Sequence, residues 1–140
     1  PDREIPSDLP RVDFFHWVLV DLPPTMTHIV EAEFSRGFTP HGKPGPAALH
    51  GARQGLNDYT GWFAGDAQMA GNYFGYDGPF PPFNDSLVHH YVFTLYATSL
   101  ARLPLEGMFN GTQVREAMAG HVLEAATHSG THTLNRRLLG

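Results

Sequence analysis

The stretch from Asn72 to Tyr96, NYFGYDGPFPPFNDSLVHHYVFTLY, constrains this chain more than any other, because a Gly/Pro-rich bend runs straight into an aromatic segment carrying two adjacent histidines. Gly75 and Gly78 let the backbone approach a ligand without an intervening Cβ, and Pro79, Pro81 and Pro82 stiffen the bend by fixing φ. VHHYVFTLYA then alternates as a strand. His89, Tyr91, Phe93 and Leu95 fall on one face, and Val88, His90, Val92, Thr94 and Tyr96 on the other. Both faces are largely apolar, so the strand is expected to lie centrally in a sheet or sandwich. A histidine there is either satisfied by a neighbour or reserved for a ligand.

A second histidine, His16, sits in FFHWVLV from Phe14 to Val20, an apolar run of aromatic and β-branched residues bounded by Asp13 and by Pro23-Pro24. This also reads as a central strand. Were the two strands adjacent, their imidazoles would form an apolar cup rimmed by the Gly78 bend. Such a cup suits a phosphate or a carboxylate.

These segments, FFHWVLVDLPP, GLNDY (Gly55 to Tyr59), YDGPFPP (Tyr76 to Pro82), VHHYVFTLYA and AMAGHVLEAATHSGTH (Ala117 to His132), resemble in order and spacing the phosphatidylethanolamine-binding proteins, in particular the bacterial branch of the Raf kinase inhibitor-like proteins. The resemblance implies a mostly β fold, a sandwich with one helix in its C-terminal half and long loops. It implies that His16, His89 and Tyr91 are pocket residues and that Gly78 and Pro79 form the pocket rim. Tyr76 beside that rim is a further candidate.

The chain departs from the family pattern at two places. The family strand reads His-Arg-Tyr where this chain has His89-His90-Tyr91, so a titratable group replaces a permanent cation. The family's Asp-Pro-Asp motif, whose carboxylate completes the pocket, has no full counterpart. Asp2 is the candidate remnant, although REIPSDLPRVDFFHW resembles a bacterial subgroup in which a long loop separates the acidic motif from this segment, which would make Asp2 a loop residue. The resemblance further implies one domain over residues 1–140 whose opening strands are supplied by another segment.

Composition fits a globular β protein: 41% hydrophobic, 16% charged, with 15 Gly and 12 Pro in 140 residues. The net charge of −5, with no basic cluster beyond Arg136-Arg137, argues against a nucleic-acid surface. No stretch is apolar enough to span a membrane. With no cysteine there is neither disulfide nor thiol chemistry, which fits the expected cytoplasm and equally a periplasm.

Strands are also expected at Ile29 to Glu33, and Arg36 to Pro79 reads as long loops wrapping the core. Within them, Asn57 and Asp58 are expected to fix their loop by side-chain to backbone hydrogen bonds. One helix is expected from an N-cap at Thr112 through QVREAMAGHVLEAA, with an apolar stripe of Val114, Ala117, Met118, His121, Val122 and Ala125. Ser129-Gly130 would end it, before a short strand at Thr131 to Leu134.

Nine histidines raise the question of a metal, but none has ligand spacing, and adjacent His89 and His90 point to opposite faces. No metal, cofactor or catalytic residue is therefore expected. The reading that results is a binding protein for a phosphate-bearing or carboxylate small ligand, with a homodimer and association with an N-terminal fragment of the same fold as the assemblies to consider. The resemblance adds inhibitory binding to a kinase or protease, seen in some members. The alternative is a hydrolase or lyase using His16 and His89 as acid and base, with the Gly78 N–H as oxyanion donor and a metal as an optional addition. GxSxG is absent.

Overall fold

Frequent glycine and proline interrupt ladder formation, and the regular elements are accordingly short. The computed structural model describes residues 3–36 and 39–139. In chain order it contains β1 (Leu19–Val20), β2 (Gly42–Lys43), β3 (Arg53–Gln54), α1 (Tyr59–Trp62), β4 (Asn72–Tyr73), β5 (His89–Thr98), α2 (Gly111–Met118) and β6 (Val122–His132), with 3-10 turns at Leu49–Gly51 and Arg136–Leu138. Few helices and a majority of strand and loop agree with the expected class. The strands form three two-stranded sheets, β1-β3, β2-β4 and β5-β6, rather than the broad layers expected of a sandwich.

The chain divides into two compact units, Phe14–Asp77 with Thr98–Val122, and Pro1–Asp13 with Gly78–Ala97 and Leu123–Gly140. In the larger unit, Val18, Val20, Leu103, Leu105, Phe109, Val114 and Met118 form the core, with Phe15, Leu100 and Ala117 against it. Two short pairings frame this core. β1 runs antiparallel to β3 in the register Leu19↔Gln54, Val20↔Arg53, and β2 runs parallel to β4 with Gly42↔Asn72. Gly42 has φ +92, and a Cβ there would lie 2.1 Å from the Asn72 carbonyl oxygen, so only glycine fits this crossing.

Phe14 to Val20 is not the full central strand expected. Its carbonyls are instead taken by loop amides: Phe15 O by Asp58 N at 2.9 Å, His16 O by Asp77 N at 3.1 Å and Val18 O by Gly55 N at 2.9 Å. The backbone is thus satisfied without a ladder. Ile29 to Glu33 is a turn, not a strand. Val30 N donates to Glu33 Oε2 at 2.9 Å, Glu33 N returns to Val30 O at 3.1 Å, and Ala32 sits at φ +61. His50 pins this turn, its Nε2 lying 2.6 Å from Glu33 Oε1.

The expected long helix is half as long as its stripe suggested. Its N-cap is Asn110, two positions ahead of the expected Thr112, with a reciprocal capping box between Asn110 and Gln113. It ends at Met118, because Gly120 takes φ +77 and turns the chain out of the helix. Val122 to His132, read above as helix and then a short strand, is the continuous strand β6. The three- and four-residue repeat past Gly120 was coincidental; Val122, Thr127 and Thr131 carry the β preference that wins. His121 accordingly leaves the helix stripe, and its Nδ1 meets Ser99 Oγ at 3.2 Å.

β5 runs from His89 to Thr98, as the alternation predicts, and pairs with β6. The expected central position is corrected: β5 has one neighbour among the described residues, and Val92, Phe93, Leu95 and Tyr96 are exposed.

Candidate functional site

Gly78, Pro79, His89 and Tyr91 belong to the smaller unit, and His16 and Tyr76 to the larger. Asp2 lies outside the described residues. The structure therefore brings four of the candidate residues into one unit and supplies two local environments for the histidines.

In the smaller unit, half-buried His89 and Tyr91 bracket an exposed His90, the pattern of a strand with the first two on one side. Gly78 turns at φ +125, and the Gly78-Pro79 peptide is cis. The residue that organises this region was not anticipated. Asp85, four positions before His89, is only 2% exposed and accepts from His89 Nε2 at 2.8 Å. Arg11 clamps the same carboxylate through Nη2 at 2.6 Å and Nε at 3.2 Å, and Leu87 N adds a bond at 3.0 Å. Burial raises the Asp85 carboxyl's pKa, but Arg11, His89 and the Leu87 N–H outweigh it and hold the group well below the usual carboxylate range.

The surroundings of Asp85 are equally fixed. Asn135 Nδ2 donates to its carbonyl at 2.7 Å, and Ile5 bridges to Asp85 as a parallel partner. Arg11 also bonds the carbonyls of Pro6 and Leu9, so a single guanidinium orders the N-terminal segment and the acid together. Neither relation has a sequence signature, since Arg11 and Asp85 are 74 positions apart and the Asp85-His89 spacing falls in a bend.

In the larger unit, His16 Nδ1 is 2.7 Å from the Asp77 carbonyl. A carbonyl only accepts, so the neutral ring carries its proton on Nδ1. Its ring packs 4.8 Å from Phe14 and 5.6 Å from Tyr59, centroid to centroid. Asp77 is itself held by Lys43 at 2.9 Å and by Asn57 Nδ2 at 2.7 Å. The anchoring expected of GLNDY is present. Asn57 Nδ2 donates to Gly75 O at 2.9 Å, Asn57 Oδ1 accepts from Tyr59 N at 3.1 Å, and Asp58 Oδ2 accepts from Phe15 N at 2.7 Å. Asn57 and Asp58 thus set the segment that presents His16.

Tyr76 packs edge-on to Trp17 at 6.1 Å. Burial first, and the neighbouring Asp77 charge second, push its phenol pKa up, so the hydroxyl stays protonated at neutral pH. A shallow cavity of about 530 Å³ lies beside α1, lined by Phe14, Asn57, Asp58, Thr60, Trp62 and Asn110 among others, and includes none of the six candidates among the described residues. Among the described residues no group of three or more His, Asp or Glu is placed to hold a metal ion, and no helix is long and apolar enough to cross a membrane.

The family model for phosphatidylethanolamine-binding protein matches residues 1–133. A UPF0098 protein of Methanothermobacter thermautotrophicus is 34% identical over 125 residues, covering 89% of this chain and 66% of that protein. The UPF0098 protein YbcL of Escherichia coli is 28% identical over 112 residues, covering 80% of this chain and 48% of YbcL. The solved structure of E. coli YbcL, titled a new member of the mammalian PEBP family, is similar with a TM-score of 0.60 at 25% identity, over 86% of this chain and 61% of that one. The chain thus spans roughly half to two thirds of the length of these relatives. With a family match across nearly all of its length and a solved family member of the same fold, this chain belongs to the phosphatidylethanolamine-binding protein family.

Proposed function

We propose that this chain carries the ligand site of a small-molecule-binding protein, and that Gly78, Pro79, His89 and Tyr91 hold a phosphate or carboxylate group. The observation that carries this reading is the anchoring of His89 to the buried Asp85, on a strand that also presents Tyr91. Side chains fixed in this way lose little rotamer freedom when a ligand arrives. Protonated imidazole and a phenol hydroxyl give charge-assisted and neutral donors to an oxyanion. A phosphorylated or acidic side chain of a protein partner, including a kinase or protease under inhibition, offers the same oxyanion to the same donors. The reading also takes the small sheets as parts of the family's larger β-sandwich.

Calorimetric titration with inorganic phosphate and with phosphoethanolamine tests it, at about pH 6 and about pH 8, either side of the ordinary histidine value near 6.5. Saturable binding at the lower pH, weaker at the higher, and lost in His89→Ala supports the reading. Binding that is absent, or unchanged between the two pH values, overturns it.

A further inference from the structure

We propose that Asp85 is a positioning residue for His89 and decides which chemistry the imidazole offers a ligand; this deepens, and rests on, the reading of His89 as a ligand residue. The Asp85 carboxylate has its acceptor capacity taken up, Oδ1 by Arg11 Nη2 at 2.6 Å and Leu87 N at 3.0 Å, Oδ2 by Arg11 Nε at 3.2 Å and His89 Nε2 at 2.8 Å. An ionised carboxylate only accepts, so the shared proton belongs to Nε2. In neutral His89 that leaves Nδ1 as a lone pair. Such a nitrogen accepts from an ammonium, hydroxyl or amide of a ligand and repels an oxyanion. It becomes an oxyanion donor only when the ring takes a second proton.

Asp85 is fixed on every side that the structure describes, by the bidentate guanidinium, the Ile5 bridge and the Asn135 side chain on its carbonyl. The charged groups facing His89 are Asp85 and, behind it, Arg11; Glu4 reaches the node through Asn135, and Arg137 lies 3.7 Å from Glu4. The His89 side chain retains 29% exposure, so a ligand can reach the ring while its Nε2 side stays occupied. Asp85 thereby makes His89 an acceptor site for donor-bearing ligands when neutral and an anion site when protonated.

The test is nitrogen NMR of the histidine side chains in ligand-free protein near pH 8, above the ordinary histidine value. The proposal expects His89 to be the Nε2–H tautomer with a slowly exchanging, observable Hε2. Asp85→Ala should lose that slow exchange, and Arg11→Gln should keep it. Phosphate affinity at about pH 6 should fall ~tenfold or more in Asp85→Ala, the loss of one charge-assisted bond's orientation. An Nδ1–H tautomer in the unmutated protein overturns the proposal even if Asp85→Ala fails to fold, and so does an unchanged Hε2 in a folded Asp85→Ala. Retained Hε2 protection in a protein that binds no phosphate would sink the anion reading while leaving Asp85's role supported.

Discussion

Arg53 Nε lies 2.5 Å from Asp21 Oδ2, and both side chains are nearly sealed from solvent. Arg53 Nη2 donates to Leu103 O at 2.8 Å, Nη1 to Leu105 O, and Asp21 Oδ1 accepts from Leu103 N at 2.9 Å. The guanidinium also stacks over Phe109 with its carbon 5.5 Å from the ring centroid. The pair therefore ties β1 and β3 to the segment before α2. Arg53→Met keeps the volume but takes the close cation from a buried carboxylate, leaving it the Leu103 N–H and Arg102 at 3.8 Å, and leaves two carbonyls without their donor. It should destabilise the fold by about 3 kcal/mol or more, read as a lower urea midpoint.

Asp85 gives a pH prediction of definite sign. Its folded-state pKa lies below that of the unfolded chain, because the Arg11 and His89 bonds outweigh the cost of burial. Its contribution is then complete above the unfolded carboxylate value near 3.9 and is lost as pH falls below it. Urea midpoints measured from about pH 6 down to about pH 3 should decline steeply at the acid end. In Asp85→Asn the protein should start less stable and decline less. Parallel curves for the two proteins would exclude Asp85 as a source of the acid sensitivity.

Local chemistry was legible in the sequence, and long-range pairing was not. β5 was readable because its alternation is local, and the anchoring by Asn57 and Asp58 because Asx side chains bond backbone a few positions away. The helix was misjudged at one glycine. Val114, Ala117 and Met118 set a helical repeat that continues by chance through Val122 and Ala125, and only the φ of Gly120 separates helix from strand. The Arg11-Asp85 and Arg53-Asp21 pairs left no pattern at all. A charged residue in a loop looks solvated until the fold buries its partner.

The N-terminus of α2 separates two caps that sequence alone confuses. Asn110 Oδ1 accepts from Gln113 N at 3.0 Å while Gln113 Oε1 accepts from Asn110 N at 3.0 Å. Asn110→Ala should cost about 1 kcal/mol. Thr112→Ala, one position inside the helix on its exposed side, should change stability by less than about 0.5 kcal/mol. Thermal unfolding of the two variants in parallel decides between them; a larger loss at Thr112 would mean that the helix begins later than Gly111.

The adjacent histidines offer the sharpest test of how the strand presents its side chains. His89 is half-buried and bonded to Asp85, while His90 is exposed on the opposite side of β5. His90 is also the position at which the sequence departs from the His-Arg-Tyr pattern that the resemblance implies. If His89 alone provides the imidazole for a bound oxyanion, His90→Ala should leave phosphate affinity within about twofold, whereas His89→Ala should abolish measurable binding, a difference on the order of 2 kcal/mol or more. His90→Arg adds a permanent cation near the surface, so any gain in affinity should be modest and should shrink as salt rises. Calorimetry of the three variants at low and at physiological ionic strength checks both statements. Equal losses at His89 and His90 would show that the ligand is held across both sides of the strand, and that one-face presentation of His89 and Tyr91 does not govern recognition.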